Sequence, residues 1–446
     1  MSIDPIRNDP PPLQATATHQ FLRLLRRVER YAPHDLVFHQ AQRIETLCRH
    51  ARQHVPFYAD RLRPVFDRDD VLDLSRWGDV PILTVAEARA NAARMQAAEV
   101  PPLAGPILDD LTSGSSGEPF RFKRSTAAMS ADAANSLRIF LDHRIDTDAR
   151  FADIRIDVSG RAQPPDGALR PNWSFGQGKG DYALLDINSR LDDQVDWLLR
   201  MRPAMLFTWA TNARAIALRL EAMGTPVKLK SLATSAEVQT AGVRHDCQRV
   251  LGADPIDILG AREVGIMAWR CQASPLYHLT AETMFLEVVR DDGAPANPGE
   301  SGRLVVTPFY TFHMPFIRYA TGDYVRLAAD ACPCGRALPT LSAVLGRGRN
   351  RLRLKDGRSV FPQLPEAALD ALIGPLQWRL VQEAPDVIDV VVQREGSARA
   401  QAAIADVART IDRAFGTGFR VTLETAQAPA AGAWRKKREL FVSLIG

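Results

Sequence analysis

From about residue 105 to 345, short β-prone runs alternate with helical ones, and this rhythm limits the possible folds more than any other feature of the chain. Ala204-Met205-Leu206-Phe207-Thr208 reads as a strand, and Asn212 through Met223 follows with helical periodicity. Leu229 through Ala233 is strand-like, Val243 through Leu251 helical, and Pro255 through Leu259 strand-like again. Such repetition argues for an α/β domain. Upstream, residues 1–18 carry Pro5, Pro10, Pro11 and Pro12 and read as a flexible tail. Phe21, Leu24, Leu25 and Val28 then share one helical face, and a second helix is expected over about 36–53, ended by Pro56, Tyr58 and Pro64. The texture changes at Gly346-Arg347-Gly348-Arg349-Asn350, which reads as a hinge. Beyond it lie a strand-like run over Val387–Val392, a helix over about 399–415 and a strand-like run over Phe419–Leu423, the pattern of a small α+β domain. The expected division is a tail at 1–18, a large domain at 19–345, a hinge at 346–350 and a small domain at 351–446.

Composition excludes several function classes. The net charge of +4 is spread along 446 residues, and the chain has seven lysines among 56 basic residues. A nucleic-acid-binding arm concentrates its charge, so no nucleic-acid partner is expected. No apolar run reaches the roughly 18 residues that span a bilayer, so no membrane role is expected. The N-terminus lacks the charged and apolar regions of a signal peptide, and five cysteines do not suggest a secreted disulfide scaffold. A cytoplasmic protein is expected.

Two segments carry chemistry. Asp110-Leu111-Thr112-Ser113-Gly114-Ser115-Ser116-Gly117-Glu118-Pro119 packs hydroxyls and glycines into a loop between β-prone flanks. Glycines let backbone approach a polyphosphate, while amides and hydroxyls donate to its oxygens. It is not a Walker A loop, because two residues separate the glycines and no Gly-Lys-Ser/Thr follows. Downstream stands Arg318-Tyr319-Ala320-Thr321-Gly322-Asp323. Together these segments resemble the AMP-forming adenylating enzymes, and His54-Val55-Pro56-Phe57-Tyr58 and Pro81-Ile82-Leu83-Thr84 narrow the resemblance to the phenylacetate–CoA ligase branch. The resemblance runs from about residue 20 to the C-terminus. It implies an α/β fold with a large N-terminal domain and a small mobile α+β lid.

The resemblance also assigns roles. Thr112, Ser113, Gly114, Ser115, Ser116 and Gly117 would cradle the ATP phosphates, and Asp323 would accept the two ribose hydroxyls. Arg318 would either face the nucleotide or brace the turn by an ion pair. Ser235-Ala236-Glu237 matches an adenine-lining segment, and Leu259-Gly260-Ala261-Arg262-Glu263 a motif whose glutamate holds Mg²⁺. Lys437, with Lys436 as fallback, would be the lysine that neutralises the reacting carboxylate and α-phosphate, although four consecutive basic residues by themselves read as a solvated patch. Glu118 stands where the family often has lysine, and Arg262 could restore the charge lost there. Leu259 replaces an aromatic residue, and the hinge aspartates are missing. Cys271, His278, Cys332 and Cys334 offer three thiolates and an imidazole for a closed structural Zn²⁺ site, whereas Cys48 and Cys247 have no evident partner. Trp173, Phe175 and Trp209 are candidates to line an acyl pocket, and Gly176-Gln177-Gly178-Lys179-Gly180 reads as a mobile loop. The implied activity joins an aryl or arylacetic acid to ATP and passes the acyl group to a thiol, most simply coenzyme A. An amine or a carrier-protein acceptor stays open, as do a homodimer and a nucleotide-binding protein that has lost catalysis.

Overall fold

The computed structural model describes residues 15–112, 120–157, 159–416, 418–426 and 437–445. Among them, twelve strands form one mixed sheet. Its parallel half runs in the order Tyr182–Asp186, Phe151–Arg155, Met205–Trp209, Ser231–Ser235, Ile256–Ala261, with Ala168–Arg170 antiparallel on the outer edge. These strands are buried almost throughout, because helices or other elements cover both faces. Side chains alternate across the pleat. Ile154, Leu185, Leu206 and Leu232 point to one core with the helices Leu191–Met201 and Ala210–Ala222. Phe151, Tyr182, Met205 and Ala233 point to another with Ile139 and Phe140 of helix Thr126–Asp142. The other half is antiparallel, in the order Gly265–Arg270, Tyr277–Leu279, Thr340–Arg347, Tyr319–Leu327, Ser301–Pro308, Met284–Val289.

The C-terminal residues form a second core. Arg420–Thr425, Val387–Val392, Trp378–Ala384 and Phe441–Ser443 make a four-stranded sheet in that order. Val407 and Ile411 of the amphipathic helix Ile404–Phe415 bury themselves against Leu380, Ile388 and Val390. The architecture is therefore a large sheet domain with a small α+β domain, as the sequence implied. The helix expected over 399–415 is two, Ser397–Ala402 and Ile404–Phe415, broken at Ala403.

Two expectations about loose segments are corrected. Helix Ala15–Val28 begins inside the expected tail, and Thr18 is fully buried. The Gly176–Gly180 loop is pinned: Gly180 N–H donates to Thr147 O and Gly176 N–H to Asn172 Oδ1. Among the described residues no helix is long and apolar enough to cross a membrane.

Candidate active site

The strands Ile107–Leu111 and Arg121–Ser125 pair antiparallel, with Leu111 opposite Arg121. Thr112 clasps the ends of the connecting loop: its N–H donates to Phe120 O at 2.9 Å and its Oγ1 accepts the Phe120 N–H at 3.0 Å. Ser113, Gly114, Ser115, Ser116, Gly117 and Glu118 lie outside the described residues.

A cavity of about 900 Å³ opens between the two domains. Glu237, Leu259, Gly260, Asp323 and Arg347 of the large-domain side and Lys437 of the small domain line it. Gly322, at φ +86°, bends strand Tyr319–Leu327 just before Asp323. Asp323 pairs in the sheet with Arg347, whose Nε stands 3.6 Å from Oδ1. Burial pushes the Asp323 carboxyl up from the usual carboxylate range, opposed by the Arg347 charge. Burial pushes the Lys437 ammonium down, helped by Arg347 and opposed by Asp323, Glu237 and Glu263. Both shifts mark groups held out of water beside a space that a ligand could fill.

Other candidates have different environments. Glu263 is buried on the turn between Ile256–Ala261 and Gly265–Arg270, and the Tyr319 hydroxyl donates to its Oε1 at 2.8 Å. Glu263 does not line this cavity; it borders a smaller space beside Arg124 and Asp132, and its carboxylate keeps acceptor sites that a cation could use. Arg262 is not among the cavity residues; it donates to Asp110 Oδ1 at 2.8 Å, on the strand Ile107–Leu111. Ser235 and Ala261 end their strands without lining the cavity, while Ala236 lines it.

Of the two roles left open for Arg318, facing the nucleotide is corrected and bracing the turn by an ion pair is the one the contacts fit. Its guanidinium is buried against Glu287, with Nη2 to Oε1 at 3.0 Å, and its Nη1 donates to the Gly78 and Val80 carbonyls. All this donor capacity is spent inside the protein, so Arg318 braces the turn. Of the aromatic pocket candidates, the two tryptophans are packed in the core. Trp173 packs on Phe140 and Phe151 with its indole N–H on Ala149 O, Trp209 belongs to the core beside Leu206, and neither they nor Phe175 line the cavity.

Some cavity residues escaped the sequence reading. Asp257 lies two positions before Leu259 on the same strand, accepts the Tyr277 hydroxyl at 2.7 Å and is pushed up to about 6 by burial. The strand period that puts i and i+2 on one face was the available signal. Arg214, Thr240 and Glu366 also line the space, and no motif announced them.

Away from the cavity, the ligand atoms of Cys271, His278, Cys332 and Cys334 all lie within 4.8 Å of one another. His278 Nε2 is 3.2 Å from Cys334 Sγ, and its Nδ1 is buried without a hydrogen-bond partner. Three sulfurs and one imidazole at this spacing fit a four-coordinate zinc. Cys48 and Cys247 are core thiols, buried and with their acidity suppressed by burial.

No protein-family model matches the chain. It is 28% identical over 214 residues to a phenylacetate–coenzyme A ligase of Thermus thermophilus, a match spanning 46% of this chain and 45% of that ligase. It is 25% identical over 305 residues to a fumarate–(S)-2,3-diaminopropanoate ligase of Enterobacter agglomerans, covering 66% of this chain and 70% of that enzyme. In structure it matches 2-hydroxyisobutyryl-CoA ligase in its postadenylation state, in complex with 2-HIB-AMP, with a TM-score of 0.71 at 20% identity, covering 90% of this chain and 88% of that one. The chain is a relative of the phenylacetate–CoA ligases with the adenylating-enzyme fold. The match to the Thermus relative spans less than half of that ligase's length, so substrates and acceptor follow as a proposal.

Proposed function

We propose that this phenylacetate–CoA ligase relative is an ATP-dependent, AMP-forming ligase that converts a small organic carboxylic acid to its acyl-adenylate and then to a thioester, most simply of coenzyme A. The observation that carries the reading is the joint lining of one cavity by Asp323, Leu259 and Gly260 from the large domain and Lys437 from the small one. In the first half-reaction a carboxylate oxygen attacks the α-phosphorus of ATP, the bond to the bridging oxygen breaks, and pyrophosphate leaves. Asp323 accepts the ribose hydroxyls and fixes the nucleotide, while the Lys437 ammonium offsets the negative charge where the two anions meet. Glu263 would hold Mg²⁺, which supplies charge neutralisation on the phosphates. In the second half-reaction a thiol sulfur attacks the acyl carbon, AMP departs with the bonding electron pair, and the thiol proton is released. Rotation about 346–350 would withdraw Lys437 and admit the thiol.

Only glycine suits position 346 in this conformation: its φ is +110°, and a Cβ there would stand 2.9 Å from Asn350 Oδ1. The Cys271, His278, Cys332 and Cys334 set would hold a structural zinc. An aryl acid and an aliphatic one both remain within this reading, since the named relatives act on phenylacetate and on fumarate. The test is acid-dependent pyrophosphate release from Mg-ATP across aryl, arylacetic, aliphatic and dicarboxylic acids, with and without coenzyme A. Release that requires an acid and is followed by coenzyme A thioester supports the reading; nucleotide binding without release under every acid counts against it.

A further inference from the structure

The small domain is gripped at two points on the cavity wall. At the first, Arg214 of helix Ala210–Ala222 is buried and uses all three guanidinium nitrogens. Its Nε donates to Asp246 of the large domain at 2.7 Å, its Nη1 to Glu366 Oε1 at 2.8 Å, and its Nη2 to Asp370 Oδ2. Glu366 and Asp370 are four residues apart on the small-domain helix Glu366–Leu372, so one helical face presents both carboxylates. Glu366 also accepts the Thr240 hydroxyl at 2.8 Å and the Gly242 amide at 3.0 Å. A side chain at 242 would obstruct this approach, because a Cβ there would stand 2.5 Å from Glu366 Oε1. Asp370 Oδ1 accepts the Trp378 indole N–H at 2.8 Å. At the second point, Glu237 Oε2 accepts the Thr211 amide and hydroxyl at 2.8 and 2.7 Å, while its Oε1 accepts the Arg438 amide at 2.6 Å. That amide directly follows Lys437.

We propose that Arg214 and Glu237 form a latch that holds the small domain with Lys437 beside Asp323, and that acyl transfer to the thiol requires this latch to open. Both are positioning residues; neither needs to touch substrate. The proposal rests on the ligase reading above. A buried guanidinium with several carboxylates gives a strong contact whose net worth is reduced by desolvation, which suits an interface that must both close and release. When the small domain leaves, Arg214 keeps Asp246, so the cation is not stranded. Glu366 and Asp370 return to water with the domain that carries them. The latch lines the same cavity as the nucleotide residues, so ligands there can bias it.

The full-length chain carrying Glu366→Gln with Asp370→Asn tests this. Small-angle scattering without nucleotide should show a larger radius of gyration than the parent. Pyrophosphate release should fall about tenfold or more, as expected for losing roughly one paired-charge contact, while coenzyme A thioester formation from supplied acyl-adenylate is kept or accelerated. If the double variant fails to fold, Arg214→Lys keeps the charge, removes the fork and should shift the ratio of the two half-reactions the same way. Equal loss in both half-reactions, or unchanged scattering with an unchanged ratio, overturns the latch. A parent chain silent toward every acid overturns the ligase reading instead, and scattering alone then decides the latch.

Discussion

The cavity between the domains and the Cys/His cluster show two ways of bringing chemistry-bearing residues together. The cluster comes from two short segments whose donors converge with every ligand atom within 4.8 Å. The cavity is assembled from pieces of both domains, and burial pushes two of its charged groups, Asp323 and Lys437, toward their neutral forms. A closed set of soft donors suits an ion that never leaves. An open space with destabilised charges suits a ligand that arrives, is neutralised and departs. The first should therefore matter for stability and the second for rate.

The largest effect that could break this contrast is at Lys437. Lys437→Ala should lower acid-dependent pyrophosphate release by about 10²- to 10³-fold, the range for losing one donor aimed at developing charge. Melting temperature should stay near that of the parent, because Lys437 is half-buried on a segment after the last helix. Asp323→Ala should also abolish measurable release, with the loss visible as weaker ATP binding in calorimetry. A Lys437 variant that keeps its rate would move the catalytic charge elsewhere, and Lys436 would be the next substitution to make.

Arg318 sharpens the comparison from the structural side. It lies five residues before Asp323 in one motif, yet its guanidinium is buried against Glu287. Arg318→Ala leaves that carboxylate buried without its cation and with only the Trp77 indole N–H donating to it, so stability should fall by about 3–5 kcal/mol. Chemical denaturation measures this directly. The rate per folded molecule and the KM for ATP should change little, and a selective rise in KM would restore Arg318 to the nucleotide site.

How far the sequence could be read follows from the same contrast. The parallel strands were legible because burial on both faces leaves continuous apolar runs, as in Met205–Trp209. The ends of the site were legible because glycines and aspartates at tight turns leave local signatures, as at Gly322-Asp323. Arg262 was not, and Arg318 was legible only as two alternatives, because a guanidinium's role depends on which carboxylate the fold brings to it, here Asp110 and Glu287. Trp173 and Trp209 were ambiguous for a related reason: aromatic character announces burial, and only packing says whether the burial is core or pocket. Arg214, Glu366 and Asp370 lie more than 150 residues apart in part and had no local signal at all.

The Cys/His cluster gives a smaller and differently placed effect. The purified chain should carry about one zinc per molecule by elemental analysis. Cys332→Ser should lower the metal content and the melting temperature, leaving the KM for ATP unchanged in the molecules that remain folded. Absence of metal in freshly purified protein, with melting unaffected by the substitution, would reduce the cluster to packed thiols.

The smallest effect is also the most discriminating, because Arg347 acts on both charged groups of the cavity. Release of pyrophosphate should need Asp323 ionised and Lys437 protonated, giving a bell-shaped pH dependence. Asp323 is raised by burial, so the acid limb should lie above the usual carboxylate range; Lys437 is lowered by burial, so the basic limb should lie below that of an ordinary lysine. The Arg347 charge holds the Asp323 value down and also pushes the Lys437 value down. Arg347→Met removes a cation of similar reach, so both values should rise and both limbs should move to higher pH together. Movement of the acid limb alone would mean that the basic limb belongs to a group other than Lys437. Limbs that move apart would contradict the electrostatic account of the cavity, since they would require one cation to destabilise the carboxylate and the ammonium at once.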